Sequence, residues 1–166
     1  MKRDKFFWLG LTLLAATASA QLVADPDWKE TEAPAPPSFN KDQLIPVEMP
    51  KYVSLRFGVD PATLSITPDG IVRYVMVASN GSGSLSAMYE GIRCATGEVK
   101  TYARYTSSGQ WSAVAQPQWR GLNDQLPSRH ALALARQGAC DGRAASASSV
   151  AAIVHALKGP DQGRHR

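Results

Sequence analysis

From residue 51 onward, apolar and polar residues alternate with the period of two that is typical of β-strands. The best-defined run covers residues 71–77, which are rich in β-branched and aromatic side chains. Further runs are separated by turn-forming residues such as Asn80-Gly81, and they cover residues 52–57, 63–66, 85–94, 99–105 and 110–114. Tight turns between consecutive strands predict an antiparallel meander of about five strands.

After Arg120 the pattern becomes helical. Ser128 is placed to cap a helix that runs to about Gln137, with Gly138 as its stop. A second helix is predicted over residues 149–158, where the apolar positions fall at i, i+3, i+4 and i+7. Such an apolar stripe must be buried, and the sheet is the large partner available. The predicted fold is therefore α+β, with the sheet followed by two C-terminal helices packed on it.

The N-terminus has the layout of a secretory signal peptide. A short basic region containing Lys2, Arg3 and Lys5 precedes an apolar run that is too short for a comfortable transmembrane span. The small residues at 18–20 predict cleavage between Ala20 and Gln21. We therefore expect a periplasmic protein with no stable membrane insertion after residues 1–20 are removed.

Residues 21–50 read as an extended lead-in, residues 51–158 as one domain, and residues 159–166 as a flexible tail. The lead-in holds a proline-rich stretch at 33–37, which excludes helix and favours polyproline II. It is either a linker or a segment that lies across the domain and is pinned by Trp28 and Phe39. The second interpretation is favoured, because aromatic residues gain nothing in a disordered linker.

Net charge and cysteine usage restrict the function further. The formal charge of +4 comes from the two ends, since residues 21–157 hold twelve basic and twelve acidic residues. A domain with balanced charges lacks the net positive charge that favours nucleic-acid binding. Cys94 and Cys140 are expected to form a disulfide in an oxidising compartment. A redox or metal pair is the alternative, but there is no Cys-x-x-Cys and no histidine at ligand spacing, so neither a metal nor a cofactor is expected.

Candidate catalytic residues are sparse. A nucleophile elbow is absent, and Ser82 lies at a hairpin tip. His130, His155 and His165 are each expected at the surface, because no orienting partner is evident for them.

Glu90 and Arg93 lie in a predicted central strand and would point to opposite faces unless a bulge at Gly91 brings them together. A charge near a sheet core needs a partner, and Arg73 on the neighbouring strand is the candidate partner of Glu90. Structural pairing and ligand binding both stay open for this pair.

Trp111, Trp119 and Arg120 form a second group, in which a guanidinium could stack on an indole. These residues are either core or lid packing, or they extend Glu90 and Arg93 into a binding patch, since Trp and Arg are frequent hot-spot residues.

The same stretches resemble the cryptic neisserial protein-like family of Gram-negative bacteria. The resemblance rests on residues 60–65, 69–74, 89–96, Trp111 and 117–120, and it spans about Trp28 to Arg120. It implies a small exported protein with a single domain, and it supplies no catalytic residue.

Two functions are compatible with these patterns. The first is a non-enzymatic periplasmic module, either binding or structural, whose partner is an unknown envelope protein or ligand. The alternative is an envelope hydrolase with a site centred on Glu90, together with Arg93 or His130. The missing catalytic motif favours the first, so we lean towards a protein that is not an enzyme.

Overall fold

The computed structural model describes residues 25–142 and 145–159. The predicted signal peptide, its cleavage site between Ala20 and Gln21, and all but the first residue of the predicted tail lie outside these residues.

One antiparallel sheet dominates the described chain. Its eight strands are β1 (Ile45–Val47), β2 (Arg56–Val59), β3 (Ser65–Ile66), β4 (Ile71–Ser79), β5 (Leu85–Arg93), β6 (Glu98–Tyr105), β7 (Trp111–Ala113) and β8 (Arg120–Gly121). The strand order is β1-β2-β4-β5-β6-β7, while β3 pairs with β4 and β8 pairs with β6. The antiparallel architecture is as predicted, but the expected count of about five strands is too low. Two of the eight strands, β1 and β8, lie outside the predicted runs, and their three and two residues are too few for alternation to reveal them.

The hairpin of β4 and β5 forms the centre of the sheet and separates two faces. Met88 and Ile92 of β5 pack with the even-numbered residues of β4 on one face, and Cys94 joins them. Ala87 and Tyr89 pack with Val75 and Val77 on the other. This division of β5 follows from the alternation of side chains along a strand.

The helices are shorter than predicted and cover the first face. Helix α1 (His130–Leu134) continues as a π-helical turn (Ala135–Ala139), and α2 (Val150–Lys158) follows. Between them, β9 (Cys140–Asp141) pairs with β10 (Ala145–Ser146). The α1 helix was expected to begin with Ser128 as its cap, but the capping position is Arg129, whose side chain makes no capping bond.

Gly138 ends the first helical segment with a φ of 136°, a conformation that glycine adopts without strain. A Cβ at this residue would lie 2.5 Å from the Cβ of Ala156, so glycine also allows α2 to approach closely. The chain then turns back to the sheet, where Cys140 forms a disulfide with Cys94. Both the bridge and Gly138 as the stop of the helix were predicted.

The α2 helix is close to its prediction. Its N-cap is Ser149, whose side chain accepts a hydrogen bond from the backbone N–H of Ala152. Ile153 is fully buried, and the rest of the predicted stripe packs against the same core. Within residues 25–142 and 145–159, none of the helices is long and apolar enough to cross a membrane.

The N-terminal segment covers the second face of the sheet. We call residues 28–39 the strap. Ala33 and Phe39 of the strap pack on the cluster formed by β4, β5 and β6. The Nε1 of Trp28 donates a hydrogen bond of 2.9 Å to the backbone oxygen of Asp69. The residues that follow the strap join the sheet as β1, within the segment expected to be a lead-in.

Candidate functional site

The five residues of the predicted binding patch do not form one surface. Glu90 lies on the helix-covered face, whereas Arg93 and the two tryptophans contact the strap or its neighbours on the other face. The bulge that would have joined Glu90 and Arg93 is absent from β5. The irregularity is instead on the partner strand β6. Tyr89 pairs with Ala103 and Glu90 pairs with Thr101, so Tyr102 is the extra residue of β6.

Glu90 is the centre of a buried polar cluster. Its carboxylate accepts hydrogen bonds from the hydroxyls of Tyr74 (3.0 Å) and Thr101 (2.9 Å). His130 Nε2 lies 2.7 Å from the same oxygen that Tyr74 contacts. Glu90 is only 2% exposed, so these three contacts take the place of water. Sequence reasoning missed Tyr74 and Thr101, although both occupy strand positions that face the same side as Glu90.

His130 was expected at the surface, and this prediction was wrong. Its side chain is buried, and its ring stacks on Phe57 with centroids 5.2 Å apart. Ser128 Oγ lies 2.6 Å from Nδ1 of the imidazole. The helix begins one residue later than predicted, and His130, its first residue, faces the sheet. Ser128, His130 and Glu90 thus form a continuous chain of hydrogen-bonding groups.

The electrostatics of this cluster favour an ionised Glu90. Burial by itself opposes ionisation, but the neighbouring His130 and the hydrogen bonds from His130, Thr101 and Tyr74 together lower the pKa of Glu90. Burial and the adjacent carboxylate raise the pKa of Tyr74 well above its usual range, so the phenol remains a donor. The predicted ion pair between Arg73 and Glu90 does not form, because Arg73 is on the opposite face of β4.

A second polar cluster lies under the strap, around Glu30. Its carboxylate accepts hydrogen bonds from Lys100 Nζ (2.6 Å), Tyr102 Oη (2.8 Å) and Trp119 Nε1 (3.1 Å). The indole of Trp28 packs edge-on against Trp119. Sequence reasoning selected Trp119 but missed its partners, because their contacts join parts of the chain about 70 to 90 residues apart.

Arg93 also contacts the strap. Its guanidinium lies 3.6 Å from the ring centroid of Trp28, in a cation–π arrangement. Stacking of a guanidinium on an indole was expected for Arg120, but Arg93 and Trp28 form it instead. Arg120 is exposed on β8, where its backbone pairs with Val99.

Trp111 lies at a different place, in an open cleft beside β7. Phe39, Tyr105 and Trp111 pack edge-to-face, with centroids 5.1–5.9 Å apart. Together with Leu85, which is 37% exposed, they line a cavity of about 720 Å³ with a polar rim that includes Lys41. Trp111 is half-buried, so this part of the predicted patch remains accessible to a partner.

The β7 strand is an edge of the sheet. It pairs with β6, and no further strand follows it in the described sheet. The oxygen of Gln110 and the N–H of Val114 bond towards β6, so the alternation of an antiparallel ladder turns the backbone groups of Trp111 and Ala113 outward. Ser112 and Ala113 are exposed. A free backbone edge thus runs along the aromatic cleft.

The other predicted candidates contribute no site. His155 is exposed on α2, as expected, and His165 lies outside the described residues. In the part of the chain that the structure describes, no group of three or more His, Cys, Asp or Glu side chains is placed to hold a metal ion.

The chain matches the CNP1-like family over residues 23–158. This match covers most of the sequence, and the chain belongs to that family. The match includes the helical region as well as the sheet. No curated protein and no solved structure matches the chain.

Proposed function

We propose that this chain is an exported, non-enzymatic binding module of the periplasm that binds an extended segment of an envelope protein. The binding site is the free edge of β7 together with the aromatic cleft of Phe39, Leu85, Tyr105 and Trp111. The signal-peptide pattern supports export, and a disulfide is typical of proteins in an oxidising compartment. The resemblance to the cryptic neisserial protein-like family supports the same compartment.

The observation that carries this proposal is the juxtaposition of an unpaired strand edge with an aromatic cleft. An extended peptide that adds to a sheet edge gains main-chain hydrogen bonds, and side-chain pockets along the edge give specificity. The outward backbone groups of Trp111 and Ala113 provide the first element. The three aromatic rings beside them provide the second, because aromatic side chains supply large contact area.

The burial of Glu90 also favours binding over catalysis. A general acid or base must reach a substrate, but this carboxylate already contacts three protein donors and is 2% exposed. Neither the aromatic cleft nor the apolar groove beside Phe57 is lined by Glu90.

In-cell photo-crosslinking tests the proposal. A photo-reactive residue at exposed Ser112 should crosslink to one defined periplasmic protein, whereas the same residue at Tyr52, which is 81% exposed, should not. Trp111→Ala should reduce the crosslink by removing the centre of the cleft. Ala113→Pro should reduce it by removing an outward N–H while leaving the ladder to β6 intact.

Ala113→Pro should keep the melting temperature within a few degrees of the wild type, because it removes no bond to β6. Trp111→Ala should stay folded but melt at a lower temperature, because it loses packing against Phe39 and Tyr105. An unchanged crosslink in both folded variants would contradict the proposal. So would recovery of the same protein from position 52.

A hydrolase centred on Glu90 is the second candidate, and the chain from Ser128 through His130 to Glu90 is the observation that favours it. An imidazole between a hydroxyl and a carboxylate is the arrangement that activates a serine nucleophile, although here Nδ1 faces the serine and Nε2 the carboxylate. A fluorophosphonate probe should then label Ser128, and both Ser128→Ala and Glu90→Gln should prevent labelling. A folded wild-type chain that stays unlabelled would rule this function out.

A further inference from the structure

Three cationic side chains lie on the strap-covered face of the sheet, but a single carboxylate pairs with them. Arg73, Arg93 and Lys100 come from β4, β5 and β6, which are neighbours in the sheet. Among the described residues, Glu30 is the acidic residue within ion-pair distance of these cations, and it pairs with Lys100 at 2.6 Å. Within the described chain, Arg73 and Arg93 therefore lack an ion-pair partner beneath the strap.

The contacts of Glu30 show how this face holds a carboxylate. An ammonium, a phenol and an indole N–H converge on its two oxygens, from Lys100, Tyr102 and Trp119. Charge-assisted hydrogen bonds of this kind are stronger than neutral ones. Gly91 makes room for the phenol, since a Cβ at that position would lie 2.7 Å from the hydroxyl of Tyr102.

The strap leaves the two arginines incompletely satisfied. Arg73 is 2% exposed, and its guanidinium donates to the backbone oxygens of Thr31 and Glu32. The Nε atoms of Arg73 and Arg93 are buried without a hydrogen-bond partner. A buried guanidinium that lacks a carboxylate is costly, so each arginine would gain from an additional anionic group.

We infer that this face is a binding site for an acidic, extended peptide of a partner protein, and that residues 28–32 of the strap occupy the site in cis. The ligand is extended because the guanidinium of Arg73 donates hydrogen bonds to the backbone oxygens of two successive residues. It is acidic because three donors converge on the carboxylate of Glu30, while neither Arg73 nor Arg93 has a carboxylate within ion-pair distance among the residues that the structure describes. Residues 28–32 belong to no strand, so the strap can leave without breaking the sheet.

This inference does not depend on the proposed role of β7. The strap site uses β4–β6 near Gly91, whereas the aromatic cleft lies beside Trp111 and the tip of the hairpin. Each site has its own variants, and the failure of one leaves the other unaffected.

The test uses a fluorescent synthetic peptide with the sequence of residues 25–33 and the full mature chain. In the wild type the strap competes with the peptide. Glu30→Gln in the protein removes the strap's carboxylate and should raise peptide affinity at least about ten-fold, the scale of one charge-assisted hydrogen bond. Adding Lys100→Gln to that variant should cancel the gain. Exposed Glu48→Gln is the matched control and should leave affinity unchanged.

The peptide supplies the complementary control. A peptide with Glu30→Gln should bind the loosened chain at least about ten-fold more weakly, because it lacks the carboxylate. A peptide with Glu32→Gln should bind normally, since that side chain is exposed in the strap. Trp28→Ala in the protein is a second way to loosen the strap and should also raise affinity. Thermal melts confirm that each variant is folded.

Equal peptide affinities for the wild type and for both loosened variants would overturn the inference, as would absence of binding to all three. Light scattering tests the other possible occupant of this face, which is the strap of a second copy of the chain. A wild-type dimer that dissociates on Trp28→Ala would assign the face to the strap of a second copy, and would overturn the assignment to a partner protein.

Discussion

Replacing Glu90 tests whether the buried cluster stabilises the fold. In Glu90→Gln, the amide oxygen can still accept from Tyr74 and His130, and the amide nitrogen can donate to Thr101, so shape and connectivity are kept. The negative charge is lost. Hydrogen bonds to charged groups contribute about 1.5–3 kcal/mol each, against about 1 kcal/mol for neutral ones. Across three contacts we expect a loss of about 2–3 kcal/mol in the free energy of unfolding, after partial relaxation.

A loss of this size corresponds to a fall of about 4–12 °C in melting temperature for a domain of this length. Glu90→Ala should cost more, about 3–5 kcal/mol, because it leaves His130 and Tyr74 buried without their acceptor. Thermal and urea unfolding at neutral pH measure both values. Glu48→Gln, at an exposed position, is the control for loss of a carboxylate and should be within about 0.5 kcal/mol of the wild type.

The pH dependence gives an independent check with a definite sign. The pKa of Glu90 is lowered in the folded protein from the ordinary value of 4.5. Its ionisation therefore contributes stability above pH 4.5, and this contribution is lost as the pH falls through the lower folded-state pKa. The stability difference between wild type and Glu90→Gln should narrow in acid. A difference that is below about 0.5 kcal/mol at neutral pH, or that widens in acid, would refute this reasoning.

Three further substitutions test the fold elsewhere. Cys94→Ser should lower stability by about 4 kcal/mol, as the chain-entropy model gives for a bridge that spans 46 residues, and urea unfolding with and without reductant measures it. Gly91→Ala should cost about 1–3 kcal/mol, because its Cβ would lie 2.7 Å from a tyrosine hydroxyl, whereas Gly81→Ala, in open space, should melt like the wild type. Ser149→Ala removes the side-chain cap of α2 and should cost about 1 kcal/mol in thermal unfolding, but Ser148→Ala, one residue earlier, should not.

Those features of the fold that depend on nearby residues could be predicted from the sequence. Alternation over β4, β5 and β6 defined the central strands and the two faces of β5, because nine- and eight-residue strands carry several periods. The apolar stripe and cap defined α2. The disulfide followed from the compartment and from having two cysteines, without any knowledge of the geometry.

The candidate site was harder to predict because its contacts join distant parts of the chain. The strap brings Glu30 to Lys100 and Trp119, and no local pattern indicates which residues an extended segment will cover. The burial of His130 likewise depends on a distant partner, Glu90, which lies 40 residues away in the sequence. A histidine predicted to lie at the surface is therefore in contact with Glu90.

The length of one loop decides on which face of the sheet Glu90 lies. A two-residue turn at Asn80-Gly81, the common hairpin for this dipeptide, would place Glu90 opposite Ile71 and on the strap-covered face. The observed loop covers residues 80–84 instead, and the side chain of Asn80 accepts hydrogen bonds from backbone N–H groups within it. Compared with the two-residue turn, this longer loop shifts the register of β5 against β4 by an odd number of residues. Glu90 therefore lies on the opposite face, where it pairs with Tyr74. The buried cluster therefore depends on loop chemistry at the far end of the hairpin.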